Sequence, residues 1–350
     1  MTRSRVWACA AVLVTLGASG CSGSDTGEPL GPSGAGADGP AAASASGPAG
    51  SGGAAGPTGS SAASTGVGGS GEGAGGAGGV ANNGFPAHWI DGTNCAGDPE
   101  VQVWEYDADT FILRQSPCTY FEANFLYLLF GDDKVLLQDT GTGDATVQPV
   151  VQGVIDEWLA KKGKTSIPLE VTHSHSHGDH IGGDYQFQGK PNTVVVGTSV
   201  DAVASFFGIT NWPTEIVQHD LGGRVLDVIP IPGHQSAHIA LYDRRDDVLL
   251  TGDTLYPGRL YVSNWSAYQA SIPRMVDFVN AGNPVQWVLG THIEMTTTPG
   301  QDYAMGANKH PNEHVLQLTF DTLLELDQAV KAQGGSPSYE VHDDFIIYPL

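Results

Sequence analysis

Residues 175–180 read His-Ser-His-Gly-Asp-His, and three imidazoles with a carboxylate in six residues have few uses other than holding metal. Zinc accepts neutral imidazole and carboxylate in a tetrahedral or five-coordinate shell, and a catalytic site leaves one position for water. On an extended segment alternate residues face the same way, so His175, His177 and Asp179 can converge while His180 turns to a second centre. A frame beginning at His173 would put His177 where the carboxylate must stand, so His173 reads as a bystander or a supporting group. The competing reading is a solvated polar loop or a chance metal-binding tract.

Downstream residues complete a set. Pro-Gly-His places His234 in a tight loop after an expected strand over 225–231, Thr-Gly-Asp places Asp253 after 248–251, and Gly-Thr-His places His292 after 285–289. Each stands just past a strand's carboxyl end, where loops gather into a site. In order and spacing these segments, with Asp139 in Gln-Asp-Thr-Gly ahead of them, resemble the metallo-β-lactamase superfamily across roughly residues 101–350.

That resemblance implies a four-layer αββα sandwich with metals at one edge. It puts His175, His177 and His234 on one zinc and Asp179, His180 and His292 on another, with Asp253 bridging the two. The implied protein is a dinuclear zinc hydrolase that uses a metal-bridging hydroxide on an ester, thioester, lactone or related acyl bond of a small molecule. Asp179 would orient the hydroxide and carry its proton. Tyr256, three residues after Asp253 as in glyoxalase II and lactonase relatives, would donate to a developing oxyanion or simply pack beneath the loop. His238 reads as structural and Asp139 as a carboxylate that fixes the loop.

Aspartate at 253, where β-lactamases of this fold usually carry Cys or Ser, disfavours β-lactams. The carboxy-terminal region offers mainly Lys309 and Lys331 for a glutathione anion. Histidine at 177 favours zinc hydrolysis over iron. The alternatives are an iron-dependent persulfide dioxygenase of the same fold and a non-catalytic metal-containing surface binding protein.

Arg3 and Arg5 precede an apolar stretch over 6–16, too short for a membrane span and shaped like a secretory signal. Ala-Ser-Gly-Cys at 18–21 looks like a bacterial lipoprotein processing site, despite Ala18 where Leu is usual. The expected organisation is a leader over 1–21 with lipid on Cys21, a tether over 22–83 and a catalytic domain over 84–350. Extracytoplasmic placement, at an outer membrane or else periplasmic or secreted, follows. Gly, Ala, Ser and Pro dominate the tether, which cannot bury enough apolar surface to order itself. Its reach is on the order of 45 Å. Cys95 and Cys118 remain as an even pair that could form one disulfide, or stand as two separate buried thiols.

A formal charge of −23 with only 15 Lys and Arg counts against nucleic acid as substrate. The glycine pairs at 182–183 and 222–223 lack nucleotide-loop spacing and read as turns. Segments 125–130 and 134–138 read as a hairpin, and apolar residues from Val147 to Leu159 at helical spacing as a helix over a sheet. Residues 167–172 read as a strand, 193–197 as a fully buried strand, and 273–280 and 312–333 as helices. Met295, Tyr303 and Lys309 are expected at the mouth of the site. His310 and His314 read as capping or surface residues, and Trp265 and Tyr268 as residues of a loop over the cleft or of the core. Oligomeric state is not readable.

Overall fold

The computed structural model describes residues 84–350, so the expected leader, the Cys21 anchor and the tether lie outside the described residues. Strands β1 (Val101–Asp107), β2 (Thr110–Gln115), β3 (Phe125–Phe130) and β4 (Val135–Gln138) lead into helix α1 (Val147–Lys162). Next come β5 (Leu169–Thr172), the short helices α2 (Gly178–Ile181) and α3 (Asp184–Phe187), β6 (Thr193–Val195) and α4 (Val200–Phe207). Strands β7 (Val217–Asp220), β8 (Val225–Pro230), β9 (Ile239–Asp243), β10 (Val248–Gly252) and β11 (Arg259–Val262) precede α5 (Trp265–Asn280). The chain closes with β12 (Trp287–Gly290), β13 (Gln317–Leu318), α6 (Phe320–Gln333), β14 (Glu340–Val341) and β15 (Ile346–Pro349).

One sheet has the order β1-β2-β3-β4-β5-β6, a second β13-β12-β10-β9-β8-β7, and a small third β11-β15-β14. Side-chain alternation sets the layers. Phe125, Tyr127 and Leu129 of β3 enter one core with Leu226 and Val228 of β8 and Ile239 and Leu241 of β9. The intervening Leu126, Leu128 and Phe130 meet Val147, Val151, Ile155 and Trp158 of α1. On the far side of the second sheet, Ile229, Ala240 and Leu249 are covered by Ile272 and Met275 of α5 and Leu323 and Leu326 of α6. The order helix, sheet, sheet, helix is the expected four-layer sandwich, with the central strands of both sheets buried on both faces.

Three local expectations are corrected. The 193–197 strand is an edge, pairing only with β5, and Val194 is 53 % exposed. Helix α5 starts at Trp265 rather than Pro273, capped by the Asn264 side chain accepting from Ala267 N. Its buried stripe, Tyr268, Ile272, Met275, Val276 and Val279, outweighs the hydrogen bond that Pro273 removes inside the helix. Trp265 and Tyr268 are therefore helical and not part of a lid; the buried Tyr268 hydroxyl donates to Thr254 O at 2.6 Å. Helix α6 begins at Phe320, and 312–319 is loop and the short β13. Cys95 and Cys118 form a disulfide.

Candidate metal centre

The histidine run leaves the carboxyl end of β5, and Asp139, one residue past β4, fixes it. Its carboxylate accepts from Ser174 N at 2.7 Å and Ser174 Oγ at 2.8 Å, and stands 3.0 Å from His180 Nδ1. A proton on Nδ1 satisfies that contact and leaves the His180 Nε2 lone pair facing the cluster. Asp139 thus acts as the loop-fixing carboxylate that was expected. Gly182 and Gly183 let the run close on the Asp-Thr-Gly loop, since a Cβ on either would lie 2.3 Å from a backbone oxygen, of Thr142 and Thr140 respectively. His173 faces away and pairs with Asp184 at 2.8 Å.

His234 follows β8, Asp253 follows β10 and His292 follows β12, so all the expected ligands meet at the carboxyl ends of strands from both sheets. His175 Nε2, His177 Nδ1 and His234 Nε2 lie 2.9 to 3.1 Å from one another. His234 holds its other nitrogen 2.6 Å from Tyr261 O. In the neighbouring group, His180 Nε2 is 3.0 Å from Asp179 Oδ2, and His292 Nε2 is 3.4 Å from the same oxygen. Asp253 stands between the groups. Its Oδ2 is 3.8 Å from His175 Nε2, 3.5 Å from His234 Nε2 and 3.4 Å from His180 Nε2, and its Oδ1 is 3.3 Å from His292 Nε2.

This donor set fits cations. Burial holds His175 and His234 well disposed to stay neutral, pushing both below the ordinary imidazole value, as metal ligands require. Burial would do the same to His180 and His292, but the carboxylates of Asp179 and Asp253 override it and favour positive charge there. Burial would raise the Asp253 carboxyl, yet His292, His180 and His175 hold it well below the usual carboxylate range. His180 Nε2 is buried and aims into the cluster, facing the Asp179 and Asp253 carboxylates. A cation at each group would satisfy the converging lone pairs and the carboxylates together.

The structure also brings in groups that sequence reasoning missed. Asn124 Nδ2 donates to Asp179 Oδ2 at 3.1 Å, Glu122 O stands 2.9 Å from His292 Nδ1, and the Thr291 hydroxyl donates to Asp253 Oδ1. Of the two roles expected for Tyr256, the structure matches packing. Its ring packs on His292 with centroids 5.4 Å apart, but its hydroxyl donates to Arg259 O and lies 3.2 Å from Glu294 Oε2. A fully buried phenol engaged in that way is a packing residue and not an oxyanion donor. His238 is fully buried with its ring 4.7 Å from that of His175, a structural position. Met295 is core, Tyr303 stacks on His310 and donates to Pro311 O, and Lys309 is exposed. His310 contacts Glu313 and Ala307 O, and His314 contacts Asp344, so neither joins a metal group.

Two sheets back to back carry two His/Asp groups at their common edge, an arrangement suited to holding metal ions. Residues 120–286 match the family described as the metallo-beta-lactamase superfamily, and the chain has the metallo-beta-lactamase fold. It is 30 % identical over 158 residues to a hydroxyacylglutathione hydrolase of Methylococcus capsulatus, covering 44 % of this chain and 57 % of that protein. It is 27 % identical over 205 residues to an acyl-coenzyme A thioesterase of Homo sapiens, covering 48 % of this chain and 72 % of that protein. Among solved structures, a metallo-beta-lactamase from Pontibacter korlensis matches with a TM-score of 0.43 and 16 % identity, covering 67 % of this chain and all (100 %) of that one.

Proposed function

We propose that the protein is a metal-dependent hydrolase with two zinc ions, cleaving an ester, thioester, lactone or related acyl bond. The observation that carries this is Asp253, a single buried carboxylate within 3.8 Å of ligand nitrogens from both groups. Two divalent cations, when bound, polarise an acyl carbonyl and lower the pKa of water to about 7. His175, His177 and His234 would hold one, and Asp179, His180 and His292 the other, with Asp253 shared. Burial would raise the Asp179 carboxyl, but His180 and His292 hold it well below its ordinary range. It therefore stays ionised near neutrality, able to accept a hydrogen bond from the attacking water and orient it. The names of two relatives, a hydroxyacylglutathione hydrolase and an acyl-coenzyme A thioesterase, support acyl chemistry. The disulfide supports export to an oxidising compartment.

Metal analysis beside a panel of lactones, thioesters, aryl esters and a β-lactam tests this. About two zinc per chain with turnover of one acyl class is expected. A single iron with oxygen consumption would replace the proposal with the dioxygenase alternative.

Charge narrows the substrate. Glu122 and Glu294 flank His292, and the nearby Arg259 is held by Glu294 at 3.2 Å and Asp302 at 2.7 Å. No free guanidinium is offered by Arg259 to an anionic leaving group. At low salt, kcat/KM for a neutral thioester is expected to exceed that for its coenzyme A counterpart by about tenfold. The gap should narrow as ionic strength rises past roughly 0.1 M, where the screening length falls to about 10 Å. A ratio indifferent to salt in steady-state assays would refute the charge argument.

A further inference from the structure

Asn124 is fully buried at the carboxyl end of the β2–β3 loop, immediately before β3. Its amide nitrogen is 3.1 Å from Asp179 Oδ2 and 3.4 Å from His292 Nε2. The opposite amide orientation would set two acceptors, Oδ1 and the carboxylate, against each other, so the donor must face Asp179. The remaining atom is informative. Asparagines that merely shape loops accept backbone N–H groups through Oδ1, whereas the buried Asn124 Oδ1 accepts nothing. Leaving such an acceptor unmet costs about 1–3 kcal/mol. The side chain therefore spends its hydrogen bonding on the cluster and not on its own loop.

The backbone around it serves the same end. Phe125 N donates to Thr291 O at 2.8 Å, tying the loop to the residue before His292. Ala123 adopts a left-handed φ of 47°, and the Glu122 carbonyl before it and the Asn124 amide after it both reach the His292 group. Cys118, disulfide-bonded to Cys95, anchors the start of this segment.

We infer that Asn124 is a positioning residue of the Asp179–His180–His292 half-site, holding Asp179 Oδ2 at the cluster so that Oδ1 is the oxygen left for water. Asn124, His180 and His292 all approach the same oxygen, Oδ2. This inference rests on reading the cluster as a metal half-site.

The test compares the wild-type chain with Asn124→Ala and Asn124→Ser, stripped of metal and titrated with zinc against a chromophoric chelator, with melting of the metal-free forms and steady-state kinetics alongside. Asn124→Ala is expected to weaken one of the two zinc equivalents by roughly 10–100-fold and leave the other within about twofold. A loss in kcat of similar size with KM changed less than about threefold should accompany it. Asn124→Ser, whose hydroxyl can donate, should recover part of both. Wild-type affinity for both equivalents in a folded Asn124→Ala variant overturns the inference. If the alanine variant does not fold, the serine variant is judged by the same criterion: weakening of one equivalent supports the inference, and unchanged affinity overturns it. A wild-type chain that binds two zinc and hydrolyses nothing would remove the proposed function while the zinc titration still decides Asn124.

Discussion

Asp253→Asn is expected to lower kcat/KM on the order of 10³-fold or more and to release at least one metal per chain. The substitution keeps the shape of the side chain and removes the one anionic group that both half-sites share. A bound cation's charge stabilisation is worth several kcal/mol, and each 1.36 kcal/mol is tenfold in rate, so losing one ion corresponds to at least about three decades. The amide would also meet the Thr291 hydroxyl, which now donates to Oδ1, so geometry is preserved on that side and the effect reads charge. Elemental analysis and hydrolysis of the best panel substrate check it together. Two retained metals with activity within tenfold of wild type would mean that Asp253 is not a shared ligand.

The ligand groups were legible because metal binding demands particular side chains at short, rigid spacings, and His-Ser-His-Gly-Asp-His satisfies that demand without help from the rest of the chain. The strands that carry His234, Asp253 and His292 were legible from apolar runs ending in turn formers. What supports the ligands was not. Glu122 and Tyr261 act through backbone carbonyls, which every residue possesses, and Asn124 carries no signature until Asp179 is placed beside it. Tyr256 had two readings open because a family position records where a ring sits and not where its hydroxyl points. The Thr-Val-Val-Val stretch at 193–196 looks the same at an edge as in the middle of a sheet, since neighbour identity decides burial. In α5 the helix extends eight residues ahead of Pro273 because its buried stripe begins at Tyr268, before the proline.

Arg224→Ala is expected to destabilise the domain by about 3–5 kcal/mol while leaving its metal content intact. Arg224 stands just before β8 in the second sheet and is 2 % exposed. Its guanidinium donates to Asp243, to Asp246 Oδ2 at 2.8 Å, and across to the first sheet at Asp109 O, 2.6 Å, and Thr110 Oγ1, 2.7 Å. Removal leaves Asp243, also 2 % exposed, as a buried charge whose guanidinium partner is gone, and unties the two sheets at that end. Urea unfolding at fixed metal concentration measures the loss, and a cost below about 1 kcal/mol would show that water or a neighbour replaces the clamp. The metal groups need both sheets in place, because His175, His177, Asp179 and His180 come from the first and His234, Asp253 and His292 from the second. Yet His234 lies beyond the far end of β8, whose six residues alone span about 20 Å at strand rise. Sites that far apart usually contribute independently. The loss from Arg224→Ala and the loss from chelation should therefore add, with bound metal holding one end of the sandwich and a buried guanidinium the other.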